Sequence, residues 1–192
     1  MEVKELFKQG YDKQCAEKYT EAIEDYNKVL ELDKDFERAY VQRACCKYQL
    51  QEYESALEDF KIAMILNPND PLTFLNAGHI VYKLNSENTD TTYFDRAIEL
   101  DSNMHEAYFM RGIAYSYADE KELSIKDFTK AIEIEPTWVA YYLVRGNVYE
   151  CLEHYDKALA DYKKVKELNS DDISIEDDIQ ECEEALRGVV AQ

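Results

Sequence analysis

Three histidines, five cysteines and 41 acidic side chains are the groups in this 192-residue chain that could do chemistry. Histidine would serve as general acid, general base or metal ligand, and the adjacent Cys45 and Cys46 would suit a metal or a redox step. Each of these uses needs several groups to converge on one point. The spacing argues against convergence. His105 and His154 fall at turns between helical stretches, and His79 stands beside Gly78 on a helix with no second histidine four residues on. Cys45 and Cys46 are neighbours on a helix and so point to different sides, which predicts ordinary packing. The sequence has no Gly-rich phosphate loop. The expectation is a protein that is not an enzyme, with no catalytic residue, no cofactor and no metal.

The elements that must position these groups are read best between His105 and Trp138. There Tyr108, Arg111, Gly112 and Tyr115 are followed by Ser124, Phe128, Ala131 and Pro136. As a helical hairpin, this spacing puts large residues a turn or two apart on each helix. It puts small ones at Gly112 and Ser124, where two backbones can approach. A glycine inside a helix costs about 1 kcal/mol against alanine, so close approach is what the position needs. A step of 34 in either direction repeats the pattern: Gly112 recurs as Gly10, Ala44, Gly78 and Gly146, and Phe128 as Tyr26, Phe60, Phe94 and Tyr162.

This order of large residue, small residue, tyrosine, alanine, phenylalanine and proline, at a period of 34, resembles the tetratricopeptide repeat. The resemblance spans residues 1–172 as five units, about 3–36, 37–70, 71–104, 105–138 and 139–172, followed by a C-terminal capping helix and tail over 173–192. It implies an all-α fold, a right-handed α-solenoid of antiparallel helix pairs with a concave peptide-binding face and no catalysis.

Composition agrees with a continuous helical core: 46% of residues are hydrophobic, and five glycines with three prolines leave little for linkers. A net charge of −19 argues against nucleic acid and against anionic membrane surfaces as partners. No apolar run reaches the ~20 residues of a membrane span, and charges stand in Met1 to Lys8 where a secretory signal needs an apolar core. An odd number of cysteines, all within helical pattern, predicts reduced thiols in a cytoplasmic protein.

Departures from the pattern carry their own expectations. Lys13 replaces an aromatic and reads as a weak spot of an end repeat. The polar run 85–92 places Asp90 where a small residue belongs, so the second helix there should start late, around Thr89 to Thr91, with Thr89 or Asp90 as its N-cap. That segment is either a shortened helix without a role or a point where the stack opens. Glu24, Asp25, Glu58, Asp59, Asp127 and Asp161 are expected on a solvated outer surface. Arg43, Arg111 and Arg145 are expected to pair with acids between repeats. Ile175, Ile179, Cys182 and Leu186 form the apolar stripe of the capping helix. Trp138, the single tryptophan, lies in the turn after Pro136.

Helical spacing around each small residue selects the inner surface: Phe7 and Tyr11; Val41, Cys45 and Tyr48; Leu75, His79 and Tyr82; Phe109 and Ile113; Leu143 and Asn147. The centre is apolar and aromatic, with basic residues toward the N-terminal end. Relatives in the resembled family hold acidic chaperone tails in a carboxylate clamp, but the matching positions here are Phe7, Tyr11, Gln42, Leu72 and Asn76, none of which fits. The expected partner is a partly apolar, peptide-like segment of another protein, extended or helical, which would make the chain an interaction adaptor or scaffold. The alternative is a structural module that works through self-association.

Overall fold

The computed structural model describes residues 2–86, 89–169 and 175–190. Among them are eleven helices and no strand: α1 (Val3–Cys15), α2 (Tyr19–Leu32), α3 (Glu37–Gln49), α4 (Tyr53–Leu66), α5 (Pro71–Leu84), α6 (Thr92–Leu100), α7 (His105–Tyr117), α8 (Lys121–Ile134), α9 (Val139–Cys151), α10 (Tyr155–Leu168) and α11 (Ile175–Val190). The first ten pair consecutively as hairpins one to five. The chain divides into two compact units, residues 1–102 and 103–192.

What closes each hairpin is a contact between a small residue and an aromatic ring sixteen residues later. A Cβ placed on Gly10, Gly78, Gly112 or Gly146 would stand 2.9, 2.5, 2.7 or 2.6 Å from a ring carbon of Tyr26, Phe94, Phe128 or Tyr162. The rings are almost wholly buried, and a buried ring of this size contributes about 1.5–3 kcal/mol. Hairpin two uses Ala44 against Phe60.

The turns repeat as faithfully as the rings. Glu17, Gln51, Asp119 and Glu153 all sit in the left-handed region, with φ between 59° and 63°. Each follows a first helix, and the residue after it returns a backbone N–H to a carbonyl five residues back: Lys18 to Lys13, Glu52 to Lys47, Glu120 to Tyr115 and His154 to Tyr149, at 2.8–2.9 Å. This is the Schellman termination, which satisfies the last carbonyls of the helix. Hairpin three differs, because Asn85 is extended at φ −147°.

Within each unit the apolar side of a hairpin leans on the next element. In the first unit, Leu6, Tyr26 and Val29 of hairpin one pack with Ala39 and Cys46 of α3. Phe60 of hairpin two packs with Ala77 and Ile80 of α5. In the second unit, Tyr162 and Val165 of α10 pack with Ile175 and Cys182 of α11.

Candidate peptide-binding faces

In the first unit α1 and α3 are tied by Gln14 Nε2 donating to Gln42 Oε1 at 3.0 Å and by Arg38 over the Phe7 ring at 5.1 Å. Between α3 and α5 is a pocket of about 180 Å³ lined by Cys45, Tyr48, Gln49, Phe60, Asn76 and His79. Three of the residues selected by spacing, Cys45, Tyr48 and His79, converge there. Tyr48 is braced against Tyr53 at 5.6 Å and His79 against Phe94 at 6.3 Å, so the pocket walls are held by the core beneath. Burial pushes the Cys45 thiol up to about 11 and the Cys46 thiol up to about 12, which keeps both protonated and weakly nucleophilic. All five cysteines are free.

The selected residues do not all reach solvent. Tyr11 is 47% exposed, whereas Phe7 and Leu75 are buried and offer no surface to a partner. Phe7 instead fills the space between Tyr26 and Phe36, at 5.6 and 5.1 Å. Val41 and Tyr82 are half-buried.

In the second unit Phe109, half-buried, is wedged between Phe128 at 5.7 Å and Tyr141 at 4.8 Å. Ile113 and Leu143 are half-buried and Asn147 is exposed, its Oδ1 accepting from the Tyr162 hydroxyl at 3.0 Å. The hollow here, about 730 Å³, is lined by His105, Glu135, Thr137, Trp138, Val139, Ala140 and Leu143. Beneath it Trp138 stacks on Tyr141 at 5.3 Å, and the Tyr141 hydroxyl lies 2.6 Å from His105 Nδ1. Spacing around the small residue missed this cluster. The available signal was Tyr141 itself, a large residue at the place where α3, α5 and α7 carry Ala39, Thr73 and Ala107.

Three sequence expectations are corrected by the geometry. Glu24 and Glu58 are exposed, but Asp25, Asp59, Asp127 and Asp161 are buried to 5% exposure or less and not on a solvated surface. Arg43, Arg111 and Arg145 fork onto Asp59, Asp127 and Asp161 within the same hairpin, through Nε and Nη2 at 2.6–2.8 Å. The remaining nitrogen of Arg43 and of Arg145 also reaches the preceding hairpin, at Asn27 and Thr129. Lys13 is no weak spot, since it supplies the counter-charge that hairpin one lacks at the arginine position. Burial would raise the Asp25 carboxyl, but hydrogen bonds from Lys13 and Lys28 outweigh it and hold the group below the usual carboxylate range.

The polar run before α6 includes residues 87 and 88, which lie outside the described residues. α6 starts at Thr92 rather than at 89–91, with Thr91 as the boundary residue, and the Asp90 carboxylate accepts from the Thr92 N–H at 3.0 Å. Asp90 thus does the work of a cap from one place further out. Among the described residues no three His, Cys, Asp or Glu side chains are grouped to hold a metal, and no helix is long and apolar enough to cross a membrane.

The family model described as tetratricopeptide repeat matches residues 16–36, 105–137 and 139–172. No curated protein matches the chain. Solved structures that resemble it include MamA, 23% identical over 84% of this chain and 94% of that one, with a TM-score of 0.79. MamA from Desulfovibrio magneticus RS-1 is 19% identical, covering 88% and 97%, with a TM-score of 0.81. YrrB, described as a TPR protein with an unusual peptide-binding site, is 22% identical, covering 88% of each chain, with a TM-score of 0.76. At these identities the likeness shows the fold.

Proposed function

Because this chain is a tetratricopeptide-repeat protein, we propose that it works as a protein-interaction scaffold without chemistry of its own. Its first-helix faces would hold a partly apolar peptide or helix of a partner. We assign it five repeats, over about 3–36, 37–70, 71–104, 105–138 and 139–172, with α11 as the end cap, and a place in the cytoplasm, where free thiols persist. The observation that carries the reading is the pocket between α3 and α5, where Cys45, Tyr48 and His79 stand over a rigid core. Pockets braced in this way bind with little ordering cost. The peptide-binding site named for YrrB, on the same fold, supports it.

The test is Tyr48→Ala combined with Tyr82→Ala. Capture of partners from lysate should be lost while the circular dichroism stays unchanged; undiminished capture removes the face assignment. Self-association is favoured by a different feature, Ile65, which is 80% exposed on α4. A sedimentation coefficient that rises with concentration, and stops rising in Ile65→Lys, would select that function instead.

A further inference from the structure

The two first-helix faces carry opposite charge. Counting from the first residue of α1, α3 and α5, the second, fifth, sixth, ninth, twelfth and thirteenth places share one side of each helix. At these places the first unit has Lys4, Lys8, Arg38 and Lys83 and no carboxylate. The same places of α7 and α9 carry Glu106 and Glu150 and no lysine or arginine. In a chain with 41 acids, the first unit's face is the exception.

Its cations are also unspent. Five other basic residues of the unit are held by acids, Lys13 and Lys28 by Asp25, Arg43 and Lys47 by Asp59, and Arg96 by Glu99, while Lys18, Lys34 and Lys61 stand outside the first helices. Among the described residues Lys4, Lys8, Arg38 and Lys83 form no ion pair, and all four are exposed. Arg38 is positioned by the Phe7 ring beneath it, a cation–π contact at 5.1 Å. The pocket of about 180 Å³ is lined from the same helices α3 and α5 that carry Arg38 and Lys83. Small-molecule sites run to about 300–1,000 Å³, so this pocket is of side-chain size.

We propose that the occupant of the first unit's face is an acidic segment of a partner protein, with aspartates or glutamates on Lys8 and Arg38 and one apolar anchor side chain in the pocket of Cys45, Tyr48 and His79. The proposal rests on the groove reading and narrows it to one chemistry. It differs from capture of a terminal carboxylate, because the cations are spread along the face and the positions of a clamp hold Phe7, Tyr11, Gln42, Leu72 and Asn76. The net charge of −19 does not oppose it at close range, because at physiological salt a charge is screened beyond about 8 Å and the segment meets the local cations. Elsewhere the acidic surface turns the same segment away, which confines it to this face.

The experiment uses the full chain and a displayed library of random 12-residue peptides, selected against the wild type and re-tested against Lys8→Glu with Arg38→Glu and against Tyr48→Ala. The expected pool is rich in Asp and Glu around one apolar residue, and its binding falls at least tenfold in each variant while the circular dichroism of both is unchanged. Replacing the acids of a selected peptide by their amides should cost a similar factor. A neutral or basic pool that loses binding in Tyr48→Ala but not in the charge-reversed variant overturns the acidic occupant and leaves the groove reading standing. A pool indifferent to all these substitutions, or no enrichment, overturns both.

Discussion

Hairpins three and four follow one another in the chain and fill the space beside their ring contact by different means. In hairpin four, Arg111 forks onto the buried Asp127, Asp119 makes the left-handed turn, and α8 runs fourteen residues. In hairpin three, the arginine place holds Ala77 and the aspartate place Tyr93, which pack together with Ile80. The turn residue Asn85 is extended, and α6 runs nine residues. What both keep is the glycine against a ring, Gly112 on Phe128 and Gly78 on Phe94. The lesson is that the ring contact makes the hairpin, while the ion pair is one of two ways to fill the space beside it. That agrees with the general finding that a buried ion pair exchanged whole for apolar groups costs little, whereas half of one costs much.

The largest effect should therefore come from breaking the fork unevenly. Asp127→Ala leaves the Arg111 guanidinium, 19% exposed, without its carboxylate. It should cost about 3–5 kcal/mol, read as a fall in the urea midpoint. Arg111→Ala with Asp127→Tyr copies hairpin three and should recover most of that loss. A double variant as unstable as Asp127→Ala would mean that hairpin three tolerates the exchange for some reason of its own, and the comparison would break.

Residue by residue, the 34-residue spacing made the hairpins legible, since Gly112 and Phe128 are in contact because of where they stand on two helices. The buried aspartates were not legible as buried. An acidic residue reads as solvated unless its partner is known, and the partner of Asp127 is sixteen places away on the other helix. Lys13 was misread for the same reason, because its role lies in Asp25 and not in its own neighbours. On the candidate face, spacing found the three pocket residues Cys45, Tyr48 and His79. It could not separate them from Phe7 and Leu75, which share the same side of the first helices but are buried.

A middle-sized effect tests the shared element. Gly112→Ala would put a methyl 2.7 Å from the Phe128 ring, and Phe128 is fully buried, so the helices must part. Overpacking of this kind costs about 1–3 kcal/mol. Hairpin two is built with Ala44 in the cluster of Phe60, so an alanine is compatible with the hairpin, and far-ultraviolet dichroism should persist while the thermal midpoint falls. An unchanged midpoint would remove the glycine–ring contact as the common closing element.

The smallest effect separates the two turns. Asp119 holds φ at 60°, a conformation that costs an L residue roughly 1–2 kcal/mol and glycine almost nothing. Glycine also gives the unfolded chain more freedom, worth roughly 0.5–1 kcal/mol against folding. Asp119→Gly should therefore stabilise by about 0.5–1 kcal/mol. Asn85→Gly meets an extended backbone at φ −147° with no strain to relieve, so the entropic term is not offset and the protein should lose at least about 0.5–1 kcal/mol. Opposite signs for the same change at equivalent places of hairpins four and three are the sharpest form of the comparison, and equal signs would show that the two turns differ less in solution than in their backbone angles.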